Sequence, residues 1–497
     1  MSDAILLLLS LQPAALLLLA LCAGFLPAAG AGLAMAGLNG TGAALCLIAL
    51  ALGAPAAALP LPIGPPGLSM HVAIDALSTY VLLLVFMACA AIAAFQACAG
   101  LPVTRMAICR AATCSAGGVL ALLAADGVLL TGGLTLTVGA LWLDTRRRQA
   151  TALLIPLLLL GAVTLLTPPG FAPQFDAIRT APPGEMHGSA AILLTLVAVG
   201  WLGTLKPAAR CWLRQALLAG LIMPLAAYLL LRLTVELPGT GTPPAWGFLL
   251  MLCGGAIAVR QSWRAGAEGQ IDGIADALVR TQTGLAMAGA GLTIVARAVD
   301  LPAASGHALA STLLLMLGAL AGTVTVLAVH AVAAGGGSNR LSRLGGLVQL
   351  MPGASAALSL GLASLAILPP GLGFACLWLL LRALVAAPRT GGLVADIPLA
   401  ATAAAAAITG VLATTAALRL GGIALLGRPR SPRGAGASDI PRQAQLTMLI
   451  LACLPLLAGL LPGPALALLA NRILHNLTGV EALARGGPFG AGATYLA

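Results

Sequence analysis

Groups that can take and release a proton in an apolar setting are amines, carboxylates and imidazoles, and this 497-residue sequence holds few of them. Lys206 is its only lysine, at the end of the apolar run L-V-A-V-G-W-L-G-T-L-K-P. Fourteen carboxylates and five histidines complete the set. Asp75, Asp126, Asp272, Asp276 and Asp396 fall near the ends of apolar runs, where they read as solvated helix caps. His330 and Arg419 lie deeper and stand without an obvious acidic partner, whereas Arg232, Arg297 and Arg382 are close enough to run ends to snorkel. Ionisable groups at membrane depth are costly and mark ion paths where they occur. The candidates for proton transfer are therefore Lys206, His330 and Asp126, with the Thr135 hydroxyl as a polar intermediate. Lys206 has two readings, a buried functional amine or a basic residue at the cytoplasmic end of a span. The ten cysteines include no C-x-x-C pair, so they read as small core residues, and no metal or cofactor is expected.

The elements that must hold these groups follow from composition. Hydrophobic residues make up 60% of the chain, charged residues 8%, and the mean hydropathy is +1.04, whereas soluble domains carry about 25% charged residues. The chain reads as an all-α polytopic membrane protein, each crossing needing about 20 apolar residues. Roughly fourteen to fifteen candidate crossings lie between residues 4 and 469, with 350–368 and 371–387 taken as separate segments. The first run lacks a basic leader and reads as a crossing rather than a cleaved signal. Arg105, Arg110, Arg146, Arg147, Arg148, Lys206, Arg210, Arg214, Arg260, Arg264, Arg340, Arg343 and Arg389 follow odd-numbered segments, which places those ends in the cytoplasm and the N-terminus outside. The loop of Arg428, Arg430 and Arg433 breaks this alternation, so either the fourteenth segment is not a simple crossing or the count is off by one. These arginines are not interleaved with aromatics, and no nucleic acid is expected as a partner.

Polar punctuation is more specific than charge. Residues 340–352 read R-L-S-R-L-G-G-L-V-Q-L-M-P, and after an apolar segment comes L-P-P-G-L-G-F at 368–374. Pro369, Pro370 and Gly371 must break a helix, and a broken helix at depth needs protein or water to satisfy its freed backbone. By physics alone this suits any transporter with discontinuous helices. The two stretches resemble R-D-L-D-R-L-G-G-L-x-x-x-M-P and G-L-P-P-L-N-G-F of the antiporter-like membrane subunits found in respiratory complex I, Mrp-type antiporters and hydrogenase-4 or formate hydrogenlyase complexes. I-D-A-L-S at 74–78, L-A-A-D at 123–126, A-L-L-A-G-L-I-M-P-L-A-A-Y-L-L-L-R at 216–232 and L-G-R-P-R at 426–430 support the resemblance, which covers about residues 70–445.

The resemblance implies two inverted five-helix repeats, at 105–235 and 244–387, flanked by N-terminal helices at 1–100 and by C-terminal helices and a tail at 396–497. It also implies a membrane-embedded relay, whose members map here onto residues unable to carry protons. The family's glutamate falls on Thr135, one lysine on Pro224, a histidine and lysine on Gly318 and Gly322, and a lysine or glutamate on Leu377. Lys206, near Trp212 and Leu213, is the one candidate counterpart of a family lysine. The implied protein is a structural subunit of the bacterial inner membrane, packed beside lipid, other membrane-arm subunits and peripheral subunits of a redox complex, itself without flavin, nickel or iron–sulfur cluster. Two other functions stay open: an active proton or cation translocator using Lys206 and water, and a stand-alone transporter. The stretch 471–485 mixes polar and apolar residues at helical spacing and suits a membrane surface or a neighbour.

Overall fold

In lipid, backbone polar groups must be paired within the chain, so long apolar runs become helices. The structure, a computed structural model, describes residues 2–53, 56–61, 70–142, 154–167, 173–180, 188–204, 211–238, 242–387, 393–469 and 471–478. Helices α1 (Ser2–Cys22) and α2 (Ala28–Ala51) lead to an antiparallel hairpin, β1 (Ala57–Leu61) with β2 (Met70–Ile74). Asp75 then caps α3 (Ala76–Cys98): its carboxylate accepts from Ser78 N–H while the Ser78 hydroxyl accepts from Asp75 N–H, a reciprocal arrangement that satisfies two orphan donors. Next come α4 (Arg105–Leu123), α5 (Gly127–Trp142), α6 (Leu154–Leu166), the short α7 (Phe175–Thr180) and α8 (Gly188–Thr204).

The following pass is uneven. It runs from α9 (Trp212–Leu217) through a π turn at Leu218–Ile222 into α10 (Met223–Leu231) and a second π turn at Arg232–Glu236. Pro224 lacks an N–H, and the wider turn just before it absorbs the lost bond. Helices α11 (Pro244–Ala267), α12 (Ile271–Ala298) and α13 (Pro302–Gly336) follow. The most apolar window of α13 is wholly buried, which makes this helix the spine of the bundle. After it come α14 (Leu347–Leu350), α15 (Pro352–Leu365), α16 (Leu372–Ala386), α17 (Leu393–Leu425), α18 (Pro432–Ala435), α19 (Arg442–Leu460), α20 (Pro462–Leu469) and α21 (Asn471–Thr478).

The helix break falls where the prolines require it, between Leu365 and Leu372. Its freed groups find protein partners: Leu365 O accepts from Gln282 Nε2 at 2.9 Å, and Ile367 N–H donates to Thr414 Oγ1 at 3.1 Å. The two halves run antiparallel to α13 along one line. Gly336 meets Leu347, Gly361 meets Thr325, Gly318 faces Leu372, and Ser311 donates to Cys376 O at 2.7 Å. Segments 350–368 and 371–387, expected as two crossings, are thus one discontinuous pass. The reason is geometric: neither half alone matches the 35-residue spine it packs on.

Nine described helices are long and apolar enough to cross a membrane. Together with α12, the shorter α5, α6 and α8, and the α15–α16 pair, they make fourteen passes among the described residues. The correction also repairs the charge alternation. Gly346 N–H donates to Leu426 O, Leu341 N–H to Gly269 O, Gly353 N–H to the Asp439 carboxylate, and Arg419 to the carbonyls of Gly266 and Glu268. The loops holding Arg340, Arg343, Arg428, Arg430 and Arg433 therefore share one end with the close of α11. Arg389 lies outside the described residues. The opposite end joins the hairpin, Asp75, Asp126, α7, Glu236 and Arg297.

Candidate functional site

Three of the five positions expected to have lost relay residues come together. Pro224 of α10 and Gly318 of α13 line one small space with Met223, Val279, Gln282 and Met316. Gly322, one turn along α13, packs on the same Val279 so closely that a Cβ there would lie 2.8 Å from its Cγ2. The Gln282 amide nitrogen donates to Leu365 O and the neighbouring Thr283 hydroxyl donates to Arg280 O, so the donors bordering this space have protein partners. Leu377 is buried in α16 facing Gly410 of α17. Thr135 stands apart on the exposed face of α5, its hydroxyl donating to Thr131 O at 2.7 Å.

Of the proton-path candidates, Lys206 lies outside the described residues. His330 forms part of a short polar chain at the basic end: Gln215 Nε2 donates to Asp272 O at 2.8 Å, which turns Gln215 Oε1 toward His330 Nε2, also at 2.8 Å. Because the amide oxygen can only accept, Nε2 carries the hydrogen. It is the Asp272 backbone, not its carboxylate, that joins this chain. Asp126 is buried at the other end, where it accepts from Leu129 N–H at 2.7 Å, capping α5, and from His71 N–H at 2.8 Å. It is a cap, as its position suggests, but a buried rather than a solvated one.

Sequence reasoning missed the densest set of charges. Arg232 was expected to snorkel; instead its side chain is 4% exposed and pairs with both Asp75 and Glu236, the latter at 2.6 Å. Arg179 of α7 closes the set with Glu236 at 2.7 Å, Asp75 at 3.2 Å and Asp176 at 2.8 Å. The Arg232 guanidinium also lies over the rings of Phe175 and Tyr228, 5.2 and 5.8 Å from their centroids, contacts that favour a cation. Burial alone would raise the Asp75 carboxyl; the Arg232 charge, the Ser78 N–H and Arg179 override it and hold it at about 2. The signal available in sequence was the four-residue spacing of Arg232 and Glu236. Asp276 was likewise expected as a solvated cap, yet it pairs with Arg280 at 3.0 Å, the arginine side chain buried and the carboxylate 12% exposed.

No family model matches the chain. By fold, a chain in the structure of the Mrp complex from Dietzia sp. DQ12-45-1b superposes with a TM-score of 0.75 at 19% identity, covering 96% of this chain and 99% of that one. A chain of the membrane-bound sulfane sulfur reductase, an archaeal respiratory membrane complex, gives 0.72 at 18% identity, over 94% of this chain and 78% of that one. A chain of respiratory complex I from Thermus thermophilus gives 0.71 at 18% identity, over 97% and 100%. The chain shares its fold with these chains of membrane complexes. Among curated sequences, hydrogenase-4 component B of Escherichia coli (strain K12) is 26% identical over 314 residues, 61% of this chain and 46% of that protein. Formate hydrogenlyase subunit 3 of the same organism is 28% identical over 228 residues, 46% of this chain and 38% of that protein. The aligned stretch spans less than half the length of either relative. Within this fold, the discontinuous α15–α16 pass and the π turn before Pro224 are two places where backbone regularity is given up along a pass.

Proposed function

We propose that the chain is a membrane-arm antiporter-like subunit of an energy-converting redox complex, of respiratory or hydrogenase-4-like type, in a bacterial inner membrane. Its role is structural: it holds neighbouring membrane-arm and peripheral subunits in place, and its own relay positions have passed to residues that carry no proton. The observation that carries this reading is the space beside Pro224, Gly318 and Gly322, whose described lining contains no amine, carboxylate or imidazole. A relay needs such groups or ordered water between polar ones. Here the nearest amide and hydroxyl are committed to carbonyls.

A second reading, active translocation, draws on the largely enclosed Arg280–Asp276 pair and on the Gln215–His330 chain. The test is proton uptake into liposomes by the parent complex carrying Lys206→Ala, His330→Ala or Asp276→Asn. The structural role predicts unchanged uptake per assembled complex for the first two variants and, for the third, loss of uptake only in proportion to loss of assembly. Intact assembly with uptake lost in any of them favours translocation. A chain that purifies alone and transports alone favours a stand-alone transporter.

A further inference from the structure

We propose that a crevice between α8 and α11 holds an acyl chain of an anionic phospholipid whose phosphate pairs with Arg260. The cavity measures about 160 Å³ and is walled by Leu196 and Val199 of α8, Ile257 of α11, Met223 and Leu230 of α10, and Met287 of α12. An apolar cavity of roughly 150 Å³ stays free of water and accepts hydrocarbon. Apart from Arg260 and Gln261, the polar side chains in the wall are spoken for: Thr283 and Thr312 donate to Arg280 O and Ala308 O at 2.7 and 2.9 Å, and Arg280 pairs with Asp276. Nothing in that wall recruits an ion, whereas a methylene chain fits it.

The rim supplies the head. Arg260 borders the cavity and is exposed, and no carboxylate among the described residues pairs with it. It sits seven residues before the end of α11, about 10 Å along the helix axis, within snorkelling distance of the headgroup layer. Arg264 lies one turn nearer that end, and Trp263 between them is 68% exposed, a side chain suited to the interface. Gln261 Oε1 also borders the cavity, buried and without a donor among the described residues. A headgroup with both a phosphate and a hydroxyl meets both needs, and phosphatidylglycerol has that chemistry.

The experiment uses the full chain, with whatever subunits co-purify, in nanodiscs of phosphatidylcholine titrated with phosphatidylglycerol and read by native mass spectrometry. One phosphatidylglycerol is expected to be retained per chain. Arg260→Gln is expected to weaken retention roughly tenfold, the loss of one charge-assisted contact. Ala227→Phe and Val199→Phe, which fill the crevice and leave the arginine, are expected to abolish retention while the unfolding midpoint in pure phosphatidylcholine stays unchanged; should one of the two fail to fold, the other gives the readout. Equal retention by the parent and all variants overturns the proposal. So does displacement by inorganic phosphate as effective as by the lipid, or a neighbouring protein helix cross-linking to position 257 in cells in place of lipid.

Discussion

At the scale of single residues, the buried charges of the Asp75 cluster are the most consequential for stability. Breaking a buried ion pair by removing one partner is strongly destabilising, so Arg232→Ala, which leaves Asp75 and Glu236 with only the half-exposed Arg179, is expected to lower the unfolding midpoint in detergent far more than Arg433→Ala on the exposed basic end. The pH dependence has a definite sign. A carboxyl held at about 2 in the fold against about 3.9 in an unfolded chain contributes fully above pH ~4, on the order of 2 kcal/mol, and loses that contribution as pH falls toward 2. Unfolding midpoints measured from pH 7 to 3 should stay flat until pH ~4 for this group and then fall, and Asp75→Asn should remove the downturn. The packing at two relay positions can be probed with alanine. Gly318→Ala has room, with only Leu372 at 3.9 Å from a Cβ, whereas Gly322→Ala must displace Val279; the first should leave the unfolding midpoint unchanged and the second should lower it. Motif spacing singled out Pro224 and Gly318 in sequence, and they line one space. The rest of the Arg232 cluster was not legible there, because Asp75 and Arg179 are far from it in the chain, and nothing local marks their convergence.

Among the elements, the break between α15 and α16 was readable because proline and glycine act locally, whereas its membership of a single pass was not, since that depends on the length of the helix it packs against. The same limit applied to the R-L-G-G-L and L-G-R-P-R motifs, which were noticed separately and turn out to touch. Gly346 has φ +67° and donates to Leu426 O, and a Cβ on Gly345 would lie 2.7 Å from Arg428 O. The glycine pair is thus a seat for the arginine loop. Gly345→Val should unseat that loop, seen as faster proteolysis between residues 426 and 441 with the rest of the bundle intact. Asp439, which caps α15 through the N–H groups of Gly353 and Ala354, is worth about 1 kcal/mol by comparison with other N-terminal caps.

For the whole molecule, the sorting of loops into a basic and an acidic end makes a topology that labelling can check. Cysteines placed at Ser342 and Ser431 in a background without accessible thiols should react from the same face, and one at Asp176 from the other. Any arrangement in which the first two differ would return the α15–α16 pass to two crossings. The acidic end carries a further consequence, for how the chain is made. Asp75 and Arg232 are 157 positions apart, and the Tyr80 hydroxyl meets Leu313 O across 233. At ~5–20 residues per second of synthesis, Asp75 waits roughly 8–30 s for Arg232, the buried one of its two counter-charges, and α3 waits longer for the spine it rests on. During that interval the earliest helices sit in the bilayer with an acid short of its buried partner and an uncovered face. A ribosome stalled before residue 232 therefore leaves a fragment that membrane proteases should clear, while one stalled after residue 336 leaves a fragment in which the spine and the Asp75 cluster have already met.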